Sequence, residues 1–440
     1  MDDVMKTIRI IGSKSDAHRA LICASLAGGT CRVETDEESD DIAATKRCLA
    51  AAVKSLQTGE CAVLRCGESG STLRLLLPSI CAMGIRAEFI MEGRLVERPI
   101  FPLSRQLTAH GALISNKRMQ TRQISSERTD YPCAAGPAHA SSSHAPADGG
   151  RCASFTVEGK LTPGEYILPG NVSSQFVSGL LLALPLLDGD SSVSLTTELE
   201  SAGYVDMTIK TMERFGVTIE KSETEGLIKY RVGGGLRYIA PERYDVEGDW
   251  SNAAFFMAAG ALGKEPVRVE GLAHDSAQGD KAFADILEAM GARVERGRSS
   301  VTVFPSKLKG TTVSAAAIPD LVPATALLMT AADGESVITD AGRLRIKESD
   351  RLHTVTEQLN ALGAHVDERS DGLDIHGAGR LTGGRADSCG DHRIAMMISI
   401  ASLICDDKVM LTNYGAVSKS YPSFYERLKS LGMDSMLERI

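Results

Sequence analysis

An internal repeat constrains this chain more than any other feature of its sequence. A short polar or glycine-rich turn, followed by small and apolar residues at helical spacing, recurs six times, at 13–27, 67–80, 171–187, 247–262, 318–332 and 389–403. A second amphipathic segment that ends at a glycine accompanies five of the copies, at 107–112, 212–217, 287–292, 359–364 and 428–433. The two halves stay 40 to 43 residues apart in all five. Each glycine falls where a helix needs a left-handed C-terminal cap. In the first copy LAAAV, at 49–53, stands where the glycine motif belongs. Strand-like runs at 192–197, 267–270, 300–304 and 336–339 lie between the helices. Six units divide into three plus three, which predicts an α/β fold of two domains, each built from three copies of a small βαβ-type unit. The expected domains are 13–239, and 1–12 together with 240–440. Crossovers between them are expected near Gly12–Ser13 and within 237–244.

Length supports the same division, because 440 residues are too many for one ordinary core. The segment 133–152, rich in Ala, Ser, Gly and Pro, breaks the period and reads as a surface insertion despite His139 and His144. A formal net charge of −9 argues against a nucleic-acid partner, although clustered cations can still create a local positive field. No run reaches the roughly 18 apolar residues of a membrane helix, so no membrane partner is expected. The ten cysteines form no Cys-x-x-Cys pair and have no histidine at zinc spacing, which predicts reduced thiols in a cytoplasmic protein and no metal.

The chemistry gathers where the helices begin. Helix N-termini carry partial positive charge, so cations are unfavourable there unless an anion joins them. Lys14 and Arg19 flank the start of the first helix, Arg74 lies just inside the second, and His392 and Arg393 open the sixth. Three instances at equivalent points of a repeat predict bound anions rather than stray surface charges. Ser173, Ser174 and Gln175 form a polar run where capping needs only one residue. Gly67, Gly70 and Ser71 form a turn whose backbone can approach a phosphate or carboxylate. In the dense stretch RLRIKESDR at 343–351, an extended first half would place Arg343, Arg345 and Lys347 on one face. Glu348 is bracketed there by cations, a setting suited to proton transfer, and Asp320 opens the fifth helix as a cap or a base. Arg94, Arg98 and Lys419 add further positive charge.

These segments together carry a resemblance. GSKSDAHRA, GESGSTLR, RLVERP, PGNVSSQF, SAGYVD, VEGDWS, PDLVPA, RIKESDR, GDHRIAM and VSKSYP resemble, in order, the motifs of the 5-enolpyruvylshikimate-3-phosphate synthase family. The match runs from about residue 5 to the C-terminus and lapses in the insertion. It implies two domains of three βαβαββ units in an inverse α/β barrel-like arrangement, with the active site in the cleft between them. It also implies transfer of the enolpyruvyl group of phosphoenolpyruvate to shikimate 3-phosphate by a monomer without cofactor.

Carried over position by position, the resemblance implies that Lys14, Ser15, Arg19, Ser173, Ser174, Gln175, Ser201, Tyr204, Asp320 and Lys347 hold shikimate 3-phosphate. Phosphoenolpyruvate would meet Lys14, Gly70, Arg98, Gln175, Arg351, His392, Arg393 and Lys419. Asp320, Glu348, Lys347 and Lys14 fall on the catalytic positions. Asp16 departs from the family's usual apolar residue and is expected to weaken the field around Lys14 and Ser15. Arg343 occupies a variable position and is not counted. The sister UDP-N-acetylglucosamine enolpyruvyl transferases resemble the chain less: its first motif reads Ser13-Lys14-Ser15, and no cysteine lies between Cys81 and Cys133. A catalytically inactive phosphate-ligand binder is a further alternative, disfavoured by the presence of Asp320, Lys347 and Glu348.

Overall fold

A computed structural model describes residues 5–115, 118–121 and 151–440. The expected insertion, apart from Arg151 and Cys152 at its end, lies outside the described residues. All six repeat copies contain a helix: Lys14–Leu26, Gly70–Ala82, Ser174–Ala183, Trp250–Leu262, Val322–Thr330 and His392–Ala401. All but the first, which carries Lys14, Asp16, His18 and Arg19, are apolar nearly all round, and a helix of that composition must be enclosed. Every residue of Val322–Thr330 and of His392–Ala401 is buried. Polar caps begin five of the six, with Ser13, Ser69, Ser173, Asp249 and Asp391 each accepting a backbone N–H of the first turn.

The glycine-ended helices are Leu103–Ala109, Ala202–Arg214, Phe283–Ala289, Arg351–Ala361 and Phe424–Ser430. Their glycines, Gly111, Gly216, Gly291, Gly363 and Gly432, all take positive φ. The following residue then donates its N–H to a carbonyl five positions back, as Val217 does to Met212 and Met433 to Leu428. That bond is the mark of a Schellman cap. In the first copy the helix does not stop near LAAAV. It runs from Asp40 to Thr58 and ends at Gly59, with φ 72°, because alanine-rich sequence continues the helix past the expected stop.

The strands form six sheets among the described residues, with parallel and antiparallel pairs mixed. Two hydrophobic cores share no residue. One runs from Ala20 to Tyr244; the other takes Ile8, Ile10 and Ile11 and then residues from Trp250 to Met433. Strand Lys6–Arg9 reaches the second core by pairing in parallel with Val267–Glu270. Strand Arg243–Asp245 stays with the first, pairing with Arg32–Glu34. The two connections between the cores run side by side. Ser13 N–H donates to Glu247 O at 2.7 Å, and Asp249 N–H donates to Ile11 O at 2.9 Å. Gly248 is required at this contact, since a Cβ there would collide with the carbonyl oxygen of Gly271.

Asp16 belongs to this junction and not to the cleft. Its carboxylate accepts from the Tyr244 hydroxyl at 2.6 Å and from Glu247 N–H at 3.2 Å. Burial raises its pKa, against the lowering effect of the Tyr244 bond. Besides its electrostatic action on Arg19, Asp16 ties the first helix to the second crossover, a role the sequence did not suggest. The stretch before Lys347 also differs from expectation. Gly342–Ile346 is a 3-10 helix, and its threefold turn separates Arg343 from Arg345. Arg343 turns into the cleft, while Arg345 pairs with Asp350 at 3.1 Å and Glu368 at 2.6 Å. Among the described residues no helix is long and apolar enough to cross a membrane.

Candidate active site

The helix starts converge on one cleft of about 1010 Å³, its open mouth included. From the first core come Lys14, Ser15 and Arg19 on the first helix, Gly70 at the head of the second, and Arg98 just beyond the turn Gly93–Val96. Ser173, Ser174 and Gln175 open another helix, and Ser201 and Tyr204 a fourth. From the second core come Asp320, Lys347, Glu348, Arg351, His392 and Arg393. Sixteen of the seventeen residues expected from sequence line this cleft. The exception is Lys419 at its edge: its ammonium donates to Gly390 O at 2.9 Å and pairs with Glu68, while its carbonyl accepts from Lys14 Nζ at 3.4 Å.

Eight lysines and arginines face three carboxylates in the cleft lining. The surplus is positive in a chain whose net charge is −9. Asp320 sits at the centre of the second domain's cations. Arg351 reaches it at 2.8 Å, Arg393 at 3.0 Å and Lys347 at 3.5 Å. Burial alone would raise its pKa, but Arg393, Lys347 and Arg351 outweigh burial and hold the carboxyl well below its usual range. Glu348 is gripped by Arg351 at 2.7 Å and Arg98 at 3.2 Å. Against the same burial, those two guanidiniums keep it ionised far below the ordinary glutamate value. Burial lowers the Lys347 pKa, partly countered by Asp320. Burial, with Lys14 and Arg393 nearby, pushes His392 well below 6.5; neither of its buried ring nitrogens has a hydrogen-bond partner. A neutral imidazole at a helix start is free to donate to an oxyanion.

The polar run divides its labour. Ser173 alone caps its helix, by accepting from Gln175 N–H at 3.3 Å. The Gln175 amide is held instead by Arg74, which donates to Oε1 at 3.0 Å, and by Ser71 at 2.9 Å. Arg19 donates to Ser15 O at 2.6 Å and Tyr204 O at 2.9 Å, so it fixes two binding candidates at once. Ser201 occupies a left-handed backbone conformation, φ 55°, that only a constrained serine adopts. A Cβ at Gly70 would meet Arg98 Nη1 at 2.8 Å, so a larger residue there would have to displace the guanidinium that pairs with Glu348.

Four residues that sequence reasoning left out complete the site. Asp41 holds the Lys14 ammonium at 2.8 Å. Asp391, fully buried, accepts from Arg351 Nε at 2.8 Å. Arg343 donates to Ser201 Oγ at 3.1 Å and Ala316 O at 2.7 Å. Asp280 accepts from Tyr204 OH at 3.1 Å, and the same hydroxyl lies 3.3 Å from Asp320. Asp41 looks like an ordinary first-turn acid in the sequence and Asp391 like an ordinary N-cap, so only their cationic partners distinguish them.

The fold is that of the two-domain enolpyruvyl transferases. An EPSP synthase from Acinetobacter baumannii superposes with a TM-score of 0.70 at 23% identity, covering 98% of this chain and 96% of that one. The enolpyruvyl transferase NikO from Streptomyces tendae matches with a TM-score of 0.68 at 18% identity, over 98% and 95%. Sequence narrows the class. The family model described as EPSP synthase (3-phosphoshikimate 1-carboxyvinyltransferase) matches residues 1–130 and 145–428. A 3-phosphoshikimate 1-carboxyvinyltransferase from Clostridium kluyveri is 38% identical over 97% of this chain and 94% of its own. One from Clostridium perfringens is 39% identical over 97% and 96%. The chain belongs to the EPSP synthase family.

Proposed function

We propose that this chain transfers the enolpyruvyl group of phosphoenolpyruvate to the 5-hydroxyl of shikimate 3-phosphate, with release of phosphate, in the route to chorismate and the aromatic amino acids. The surplus of cations around two partly buried, ionised carboxylates carries this reading. Two polyanions repel one another, and a positive, walled cleft offsets that repulsion where bulk water would leave it in place. Family membership favours this reaction over the UDP-N-acetylglucosamine alternative.

Lys14, Ser15, Arg19, Ser173, Ser174, Gln175, Ser201 and Tyr204 are assigned to shikimate 3-phosphate, with Asp320 and Lys347 beside its hydroxyl. Gly70, Arg98, Arg351, His392, Arg393 and Lys419 are assigned to phosphoenolpyruvate, shared with Lys14 and Gln175. In the addition step the 5-oxygen bonds to C2 while its proton passes to Asp320. Lys347, whose lowered pKa makes it a better acid than free lysine, delivers a proton to C3. Substrate phosphate and carboxylate groups draw Arg351 and Arg393 toward themselves, which loosens their hold on Asp320 and raises its basicity. In the elimination step the C2–O bond to phosphate breaks, and the departing phosphate takes the proton that Asp320 received. C3 gives its extra proton to Glu348, kept anionic for that purpose by Arg351 and Arg98, from which it returns to Lys347.

The domain division belongs to the same proposal, with crossovers at 12/13 and, since Tyr244 packs in the first core, just after Asp245 in place of 239/240. A monomer is supported because one chain supplies the whole cleft. A reducing, cytoplasmic setting is supported by nine described cysteines that are all free. Phosphate release tests the activity. It is expected only when both substrates are present, and release with either one omitted, or none with both, contradicts the reading.

A further inference from the structure

The sheet that leads into the Lys347 segment carries an unusual cluster on its outer face. Strands Glu335–Thr339, Gly372–His376 and His365–Arg369 lie side by side, with His376 registered between Glu335 and His365. Strand side chains alternate, and Val366 and Ile375 point into the core. His365, Asp367, His376 and Glu335 therefore share the opposite face. His376 Nε2 lies 3.1 Å from Asp367 Oδ2, and His365 Nε2 lies 3.7 Å from the same oxygen. One potential ligand atom from each of the three residues falls within 4.8 Å of the others. Two ligands of a tetrahedral zinc ion, each about 2.0–2.2 Å from it, stand roughly 3.3 Å apart, so these separations need little adjustment.

Two further contacts favour a ligand over a chance surface network. Glu335 lies 2.6 Å from His376 Nδ1, on the far side of the ring from Asp367. A carboxylate in that position fixes the ring and directs Nε2 toward Asp367, where an ion would take the place of the present 3.1 Å hydrogen bond. Arg369 pairs with Asp374, the residue registered opposite Asp367, and leaves the Asp367 carboxylate to the histidines.

We propose that His365, His376 and Asp367 bind one divalent transition-metal ion, with Glu335 as the residue that positions His376. Imidazole and carboxylate donors suit zinc, nickel or copper better than magnesium or calcium. None of the four residues lines the catalytic cleft. They sit at the end of strand Glu335–Thr339 remote from Lys347 and Glu348, where a bound ion would staple three strands together.

The test titrates Zn²⁺, and separately Co²⁺ as a spectroscopic probe, into full-length chelator-treated protein whose accessible thiols, Cys61 and Cys389 among the described residues, have been alkylated. One equivalent of tight binding is expected, with imidazole nitrogen signals of two histidines shifting in NMR. The double variant His365→Ala/His376→Ala should lose that equivalent. Glu335→Gln should weaken binding by about tenfold or more. Folding of each variant is checked by retained phosphate release, since these side chains lie outside the cleft. No stoichiometric uptake by the unmodified sequence, or uptake that persists in the double variant, overturns the proposal.

Discussion

Glu348 and Asp280 show how neighbours set the behaviour of a carboxylate in this cleft. Glu348 has a guanidinium on each oxygen. Glu348→Gln keeps the shape and removes the charge, so shikimate 3-phosphate affinity should stay within a few-fold while kcat falls by roughly a hundredfold or more. Steady-state kinetics with a direct binding measurement checks both halves, and unchanged kcat removes Glu348 from the proton transfers. Asp280 is the opposite case. Burial, reinforced by nearby Asp320, pushes its pKa from 3.8 up to about 6, and its Oδ1 has no partner. Tyr204, Ser251, Asp320, Arg393 and Asp249 surround it. A folded-state pKa above the unfolded one contributes stability that is full below about 3.8 and is lost as pH rises through about 6. Asp280→Asn stays neutral throughout. Its Tm relative to the unmodified sequence should therefore climb between those two values, and a constant difference would contradict the assignment.

At the scale of elements, the helices were legible because two independent signals coincide on all of the repeat helices but Val322–Thr330, which has neither a side-chain cap nor a terminal glycine. Apolar spacing marks the body, and a polar cap or a left-handed glycine marks an end. The prediction for the glycines is specific. Gly432 has φ 62°, and a Cβ added there would meet only Lys6 Nζ, at 4.0 Å. Gly432→Ala should therefore cost about 1 kcal/mol of backbone strain and little else. Chemical denaturation followed by circular dichroism measures it; no loss would mean that the cap relaxes freely. The stretch 342–346 was misread because five residues rich in charge fit a period of two and a period of three equally well. The cap at Gly59 went unread for a related reason, since the alanine run at 49–53 does not announce where a helix stops.

For the whole molecule, the cation-bearing helix starts were the readable part of the site. Lys14, Arg74 and Arg393 stand against the helix dipole, and the cleft is where that opposition is resolved, whereas His392, read as one more cation, is held neutral there. Their buried counter-charges were not readable, because pairings such as Lys14 with Asp41 and Arg351 with Asp391 depend on how separate segments meet. The cleft also joins two cores that are connected by two adjacent backbone crossings and that meet across it, as Arg98 does with Glu348 and Arg343 with Ser201. The central claim is that this cleft adds an alcohol across the double bond of phosphoenolpyruvate and then eliminates phosphate. NMR of the reaction in deuterated water, with shikimate 3-phosphate and phosphoenolpyruvate both present, tests it most directly. The account predicts an enolpyruvyl ether at the 5-oxygen, one equivalent of inorganic phosphate, and deuterium at C3. Phosphate without the ether, or an ether whose C3 carries no deuterium, would contradict it.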